Sequence, residues 1–313
     1  MKVILRLWRW GWDLIAIAGG IAILLGFFGS AHPALDSLSH FRAHLAAITA
    51  IAAFMRIVSG SGFGRGLSML ILLLAFVAGI PTARYMIPDS SVRLDPGETY
   101  SLLQYNARHN EVAVSNVMLD KQPDFATLQE VTVTKLEMNK ELMALYPYRA
   151  SCDNGSLRAQ GTILLSKYPF EGEPVCQPGS NVVRATILLG DHALTLVTQH
   201  LQWPWPYGQK EALAEDVAAL RTISGAAILA GDFNAAPWSV TVKRYASLTR
   251  TAPTKGIGPT WLLSGTDLSL RPYVGLPIDN ILTSGVAIAQ VQRFDRKGSD
   301  HMPVLMRFAF EDY

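Results

Sequence analysis

The sequence is poor in several residue types, and each scarcity removes a class of function. It holds two cysteines, Cys152 and Cys176, with no Cys-x-x-Cys pair and no histidine cluster beside them, which argues against a zinc-built domain. They are left between a disulfide, which needs an oxidising compartment, and two buried thiols. There is no surplus of base either, since 27 Lys and Arg stand against 25 Asp and Glu. That excludes a protein living on non-specific duplex binding, while a local basic groove stays open. Charge of either sign is scarce in the first 88 residues, which carry 7 basic and 2 acidic side chains against 20 and 23 in the remainder. No internal repeat or low-complexity tract is visible.

What replaces charge is apolar sequence. The 313 residues are 50% hydrophobic, with a mean hydropathy of +0.21, too apolar for an ordinary cytosolic enzyme. The excess sits in region 1–88, where three runs suit a hydrocarbon core of about 30 Å. They predict transmembrane helices over about 10–30, 42–59 and 66–87. The first is preceded by Lys2, Arg6 and Arg9 and by Trp8, Trp10 and Trp12, an interfacial anchor. A secretory signal ending near Ser30-Ala31 is the competing view of that run. The middle run carries His44 and Arg56 near its ends, where long side chains can snorkel. Arg56 and Arg65 mark the second loop as basic, whereas the first loop, 31–39, has neither Lys nor Arg. The positive-inside rule then places the N-terminus in the cytoplasm, and three spans put the rest of the chain outside, as a multi-pass protein of the inner membrane with a periplasmic domain. Two spans would leave it cytoplasmic.

Residues 89–99, rich in Pro, Asp, Ser and Gly, read as a linker into a domain at 100–313. Strand-length apolar runs lie at 100–105, 125–128, 162–165, 182–189, 193–198, 226–229, 280–283 and 304–308. Helical patterns fall between several of them, at 110–120, 131–145 and 209–223, so the domain is expected to be layered α/β.

Several strands end in polar residues that a core would not select: Gln104-Tyr105-Asn106, Leu128-Gln129-Glu130, Thr198-Gln199-His200, Gly231-Asp232-Phe233-Asn234, Ile278-Asp279, and Asp300-His301 ahead of the last. Strand ends converge on one rim of a sheet, where layered α/β proteins build their sites. Singly, each has an ordinary structural account as a turn former, an N-terminal helix residue or a cap. Together Glu130, Asp232, Asp279 and Asp300 supply four carboxylates, Asn106 and Asn234 two amides, and His200 and His301 two imidazoles. That hard-oxygen set suits Mg²⁺, Mn²⁺ or Ca²⁺ and fits phosphoester hydrolysis, which needs charge neutralised, water oriented and donors placed around phosphorus.

With Gly161-Thr162-Ile163-Leu164-Leu165-Ser166-Lys167-Tyr168-Pro169 and Gly298-Ser299-Asp300-His301-Met302-Pro303-Val304 added, seven blocks in order over residues 99–310 resemble the endonuclease/exonuclease/phosphatase, or deoxyribonuclease I-like, superfamily. The resemblance implies a four-layer sandwich of two packed mixed sheets flanked by helices, with Mg²⁺ or Mn²⁺ as cofactor. It implies Glu130 as the main metal ligand, with Asn106 beside it and Asp300 in support. Asp232 and Asn234 would orient water and hold a phosphoryl oxygen, and His301, held by Asp279, would act as base or phosphate donor. His200 would reach the phosphate from the other side, sharing phosphate binding with Asn106 and Asn234, and has no evident acidic partner. Asn280 departs from the pattern, since relatives often carry His or Tyr there. Outside the motifs, Gln202-Trp203-Pro204-Trp205-Pro206-Tyr207 is either a packed surface loop or a surface that stacks on a base, grips a lipid or dips into the interface. Trp261 reads as core, and Arg158 as a candidate phosphate contact. The substrate expected is a phosphoester, lipid-linked or membrane-proximal, with nucleic acid as the alternative and a non-catalytic membrane scaffold as the rival of another class.

Overall fold

The computed structural model describes residues 2–59, 63–92, 99–152, 161–176, 182–294 and 298–311. Arg158 and most of the expected linker lie outside these residues. The apolar runs fold as long helices, a form in which the backbone satisfies its own polar groups. They are α1 (Lys2–Leu25), α3 (Arg42–Ser59) and α4 (Phe63–Met86). Three segments, Arg6–Phe28, Arg42–Ser59 and Gly64–Met86, are long and apolar enough to cross a membrane. Small residues let these helices meet: Ala16 packs with Ala52 and Ala53, and Ile23 with Ala46, Ala75 and Ala78. Arg56 does not merely snorkel, because its Nε lies 2.6 Å from Asp13 of α1. The first loop is not irregular either. His32 accepts the Ala34 N–H at 3.2 Å, Pro33 opens a helix without wasting a donor, and α2 (Pro33–His40) results.

Beyond residue 99 the chain alternates as β1 (Tyr100–Asn106), α5 (Glu111–Lys121), β2 (Phe125–Val131), α6 (Val133–Glu137), α7 (Lys140–Leu145), β3 (Tyr148–Cys152), β4 (Gly161–Ser166), β5 (Phe170–Cys176), β6 (Val182–Leu189), β7 (His192–His200), α8 (Gln209–Leu220), β8 (Ala226–Asp232), α9 (Val240–Thr249), β9 (Ala252–Pro253), α10 (Arg271–Val274), β10 (Asp279–Ser284), β11 (Val286–Arg293) and β12 (Val304–Phe310). Two six-stranded sheets form, ordered β11-β12-β1-β2-β4-β3 and β5-β6-β7-β8-β10-β9. Each is antiparallel except for one parallel pair, β1/β2 and β7/β8, which need the crossovers that α5 and α8 provide. Alternation along the strands makes the layers. Leu102, Phe125, Leu196, Ile228 and Phe308 fill the space between the sheets, while Leu103 and Leu128 face α5 and α7, and Val197 and Leu229 lie under α8 and α9, packed with Tyr245 of α9. The fold is the expected four-layer sandwich.

The strands expected from apolar runs are present, most of them a residue or more longer. β3, β5, β9 and β11 were not legible in that pattern, and the helical stretch 131–145 divides into α6 and α7. Cys152 and Cys176 form a disulfide with a Cα–Cα separation of 5.3 Å. It joins β3 to β5, the edge strands of the two sheets on the same side.

Candidate active site

Topology brings the polar residues together. β1, β2, β7 and β8 end at one rim; β10 and β12 run antiparallel to their neighbours and therefore start there. In the second sheet His200 pairs in register with Asp232, and Asp232 with Asp279, so three strands present one row of side chains. Glycine is required at the end of β8, because a Cβ on Gly231 would strike the Gln199 backbone carbonyl of β7. In the first sheet β2 loses register between Leu128 and Val131, and Glu130 takes a left-handed backbone with φ of 52°. This bulge re-aims its carboxylate, and Asn234, with φ of 46°, closes the turn after β8 in the same way.

The result is a cleft of about 550 Å³ walled by Glu130, His200, Asp232, Asn234, Asp300 and His301, together with Arg108, Trp203, Trp261 and Ser264. Asn106 lies beneath it, and its Nδ2 donates to Glu130 Oε1 at 3.0 Å and to Asp232 Oδ2 at 2.9 Å. Its Oδ1 accepts the Arg108 N–H at 3.1 Å, so Asn106 presents nitrogen to the carboxylates and spaces them. Asp279 is buried behind His301 and lies 2.8 Å from its Nδ1, leaving Nε2 to face Asp232 Oδ2 at 3.6 Å. His200 Nε2 is 3.8 Å from both Glu130 Oε1 and Asp232 Oδ2. Its acidic neighbours therefore lie in front of it. Asn234 donates its backbone N–H to Asp232 Oδ1 at 2.8 Å and its Nδ2 to the Leu201 carbonyl at 2.9 Å. Asp300 Oδ2 accepts from Ser264 at 2.8 Å and Trp261 at 3.3 Å, with Arg108 3.7 Å away. Trp261 thus lines the cleft and is not simply core.

Burial would lower the His301 imidazole, but Asp279 and Asp232, with the Asp279 hydrogen bond and Asp300 adding to them, outweigh it and raise its pKa to about 9. Burial pushes the Asp232 carboxyl up, against the pull of His301 and with the repulsion of Asp279. His301 is therefore an imidazolium at neutral pH, a donor rather than an acceptor.

A cation fits the donor set. Ligand atoms of Glu130, His200 and Asp232 lie within 4.8 Å of one another, and so do those of Asp232, Asp279 and His301. Among the described residues neither Glu130 nor Asp232 is paired with Lys or Arg. Asp279 is occupied by His301, so the first group is the better holder. Two carboxylates with room for water match a small hard divalent ion.

Of the residues that support this rim, Ser299, Gln104 and Gln129 lie within the motif strings and Arg271 lies outside them. Arg271, 1% exposed, donates to the Ser299 carbonyl at 2.7 Å and the His301 carbonyl at 3.2 Å. Ser299 Oγ in turn bonds the Asn106 carbonyl at 2.9 Å. Gln104 and Gln129 bond each other between the sheets, and Gln104 reaches Asp279 at 3.4 Å. Nothing in local periodicity distinguishes a buried Arg271 from an exposed one.

Residues 103–301, more than half of the chain, match the model of the Endonuclease/Exonuclease/phosphatase family. The chain belongs to that family. The family takes its name from endonucleases, exonucleases and phosphatases. Two UPF0294 proteins of Vibrio vulnificus, from strains CMCP6 and YJ016, are each 29% identical over 133 residues, 42% of this chain and 45% of theirs. The chain spans about half the length of the curated relatives it matches. The human nocturnin catalytic domain with bound sulfate superposes with a TM-score of 0.55 at 15% identity, covering 70% of this chain and 97% of that one. D. rerio TDP2 complexed with a single-strand DNA product gives 0.52 at 17% identity, covering 68% and 100%. These family members share the fold.

Proposed function

We propose that this protein is a membrane-anchored phosphoester hydrolase whose catalytic domain lies outside the cytoplasm and acts on a lipid-linked or otherwise membrane-proximal phosphoester. Glu130 and Asp232 would hold Mg²⁺ or Mn²⁺, with His200 beside them; Asn106 and Asp300 support that group by spacing and by charge. When bound, the ion neutralises phosphoryl oxygen charge as a Lewis acid. The chain's residues do the rest. Imidazolium His301 donates from Nε2 to a phosphoryl oxygen, and Asp279 holds its other nitrogen. Asp232 and Asn234 orient the attacking water, and Asp232 accepts its proton. His200 donates to the phosphate from the opposite wall.

The observation that carries the reading is the convergence of Glu130, Asp232, His200 and His301 on one open cleft. The membrane part draws on three further features. α2, between the first two candidate spans, packs on the catalytic domain, as Trp238 Nε1 bonds the Ser39 carbonyl at 2.6 Å. That contact suits a first loop and a domain on one side of a membrane, as an odd number of spans would leave them. The disulfide supports an oxidising side. The cleft wall also leads toward the helix ends: Trp203 meets Trp261 at 5.3 Å, Trp205 meets His32 at 6.0 Å, and Tyr273 and Val274 share a groove with α3 and α4. Exposed Trp203, Trp205 and Tyr207 suit a headgroup interface.

A nuclease reading is favoured by one observation, the likeness to TDP2 with its DNA product. The same aromatics would then stack on bases. Incubating the detergent-extracted protein with plasmid DNA, sphingomyelin-type vesicles and a generic phosphodiester, with Mg²⁺ and with chelator, separates the readings. Metal-dependent release of headgroup from vesicles is expected; DNA cleavage alone would replace the lipid reading, and stoichiometric binding without turnover would make the protein a scaffold.

A further inference from the structure

Asp36 begins as an ordinary residue of the first turn of a short helix in the loop between the first two candidate spans, where water would welcome its carboxylate. It is instead 5% exposed. Oδ1 accepts the Val240 N–H at 2.8 Å and Oδ2 the Thr241 N–H at 3.0 Å. These are two of the free donors that every helix leaves at its N-terminus. α9 is therefore capped twice, by its own Ser239 through Val242 N–H at 3.1 Å and by an acid 204 residues away in sequence. Gly29 permits the approach, since a Cβ there would lie 2.8 Å from Asp36 Oδ1 and 3.0 Å from its Cα.

The stretch these contacts hold, 235–241, follows directly on Asp232-Phe233-Asn234. α4 grips it too, through Tyr85 against Trp238 at 6.3 Å, with Ala236 buried in the same cluster. From α9 the path continues into the site. Thr241 Oγ1 lies 2.9 Å from Asp36 Oδ2 and 3.1 Å from Gln209 Oε1, one hydroxyl proton serving either. Gln209, also 5% exposed, points its Nε2 at the carbonyls of Gln202 (3.0 Å), Phe233 (3.2 Å) and Asn234 (3.1 Å). That single amide ties the Trp203 wall to the left-handed Asn234 turn. A turn in a sparsely populated backbone conformation keeps it only while its surroundings insist.

We propose that Asp36 is a positioning residue of the active site. Through Thr241 and Gln209 the anchor region sets the geometry of Asn234 and Asp232, so turnover depends on the docked anchor and not on the catalytic domain alone. The inference rests on the hydrolase reading, and its test separates the two. In the full chain in detergent, the soluble diester bis(p-nitrophenyl) phosphate with Mg²⁺ is turned over by the wild type, by Asp36→Ala, by Thr241→Val and by Thr241→Ser. The expected result is a kcat lower by about tenfold or more in Asp36→Ala and Thr241→Val, with KM within about twofold and Thr241→Ser close to wild type, because small misplacements are costly in rate. Amide exchange should quicken around 202–203 and 231–242 in the two impaired variants and nowhere else. Unchanged kcat in Asp36→Ala overturns the proposal, as does a Thr241→Val loss that Thr241→Ser does not restore. If Asp36→Ala does not fold, the Thr241 pair decides alone. A wild type that hydrolyses nothing overturns the hydrolase reading, and exchange then decides the coupling: faster exchange at 233–235 in Thr241→Val upholds it, and unchanged exchange overturns it.

Discussion

The pair His301 and Asp279 ties charge to chemistry most tightly. Folded His301 holds its proton up to about 9, whereas an unfolded histidine loses it near 6.5. The folded pKa is raised, so the pair's contribution to stability is full below about 6.5 and disappears as pH rises through about 9. Asp279→Asn keeps the shape and removes the charge. Hydrolysis by this variant should fall by about 100-fold, and the basic limb of its pH profile should move below the wild-type position near 9. Melting curves at pH 6 and pH 10 should show the variant's stability deficit only at the lower pH. A variant with the wild-type profile would remove His301 from the donor role. At this scale the sequence was informative because the site is made of strand ends, whose polar residues stand out against apolar runs. It was silent on orientation. Asn106 presents nitrogen rather than oxygen to the carboxylates, and Trp261 lines the cleft. Both depend on partners more than 20 residues distant.

Strands and helices were legible where burial imposes a period and obscure where it does not. β5 exposes much of Phe170-Glu171-Gly172-Glu173-Pro174-Val175-Cys176 at a sheet edge, so it lacks an apolar run. α9 is rich in β-branched residues, a local pattern that leans toward strand. Its caps at Ser239 and Asp36 and the buried Val242, Tyr245 and Thr249 make it a helix. α2 was hidden because the loop around it is short and its purpose is tertiary. β8 gives the sharpest test of packing at this scale. Gly231→Ala forces a methyl group into the β7 backbone, which cannot yield as a side chain would. A loss of about 2–4 kcal/mol is expected, read as a lower melting temperature together with lost hydrolysis. A variant as stable as wild type would mean that the two parallel strands are not held at this spacing.

For the whole molecule, three candidate spans, a first loop docked on the catalytic domain and a disulfide across the sheet edges all suit one arrangement. The number and sign of loop charges lead to the same proposed arrangement, although Arg56 is paired with Asp13 and the docking itself left no trace in the sequence. A reporter active only outside the cytoplasm should therefore be active when fused at residue 90 and inactive when fused between α3 and α4. The reverse pattern would turn the catalytic domain inward. The central claim, that the cleft hydrolyses phosphoesters with a divalent ion held at Glu130 and Asp232, is tested most directly by turnover of a generic phosphodiester by the detergent-extracted chain. Wild type and Glu130→Ala should be compared with Mg²⁺, with chelator, and with Mg²⁺ restored. The account predicts turnover that chelator abolishes and Mg²⁺ restores, and a Glu130→Ala protein that folds but is slower by about three orders of magnitude. Chelator-insensitive turnover, or full activity in Glu130→Ala, would contradict it.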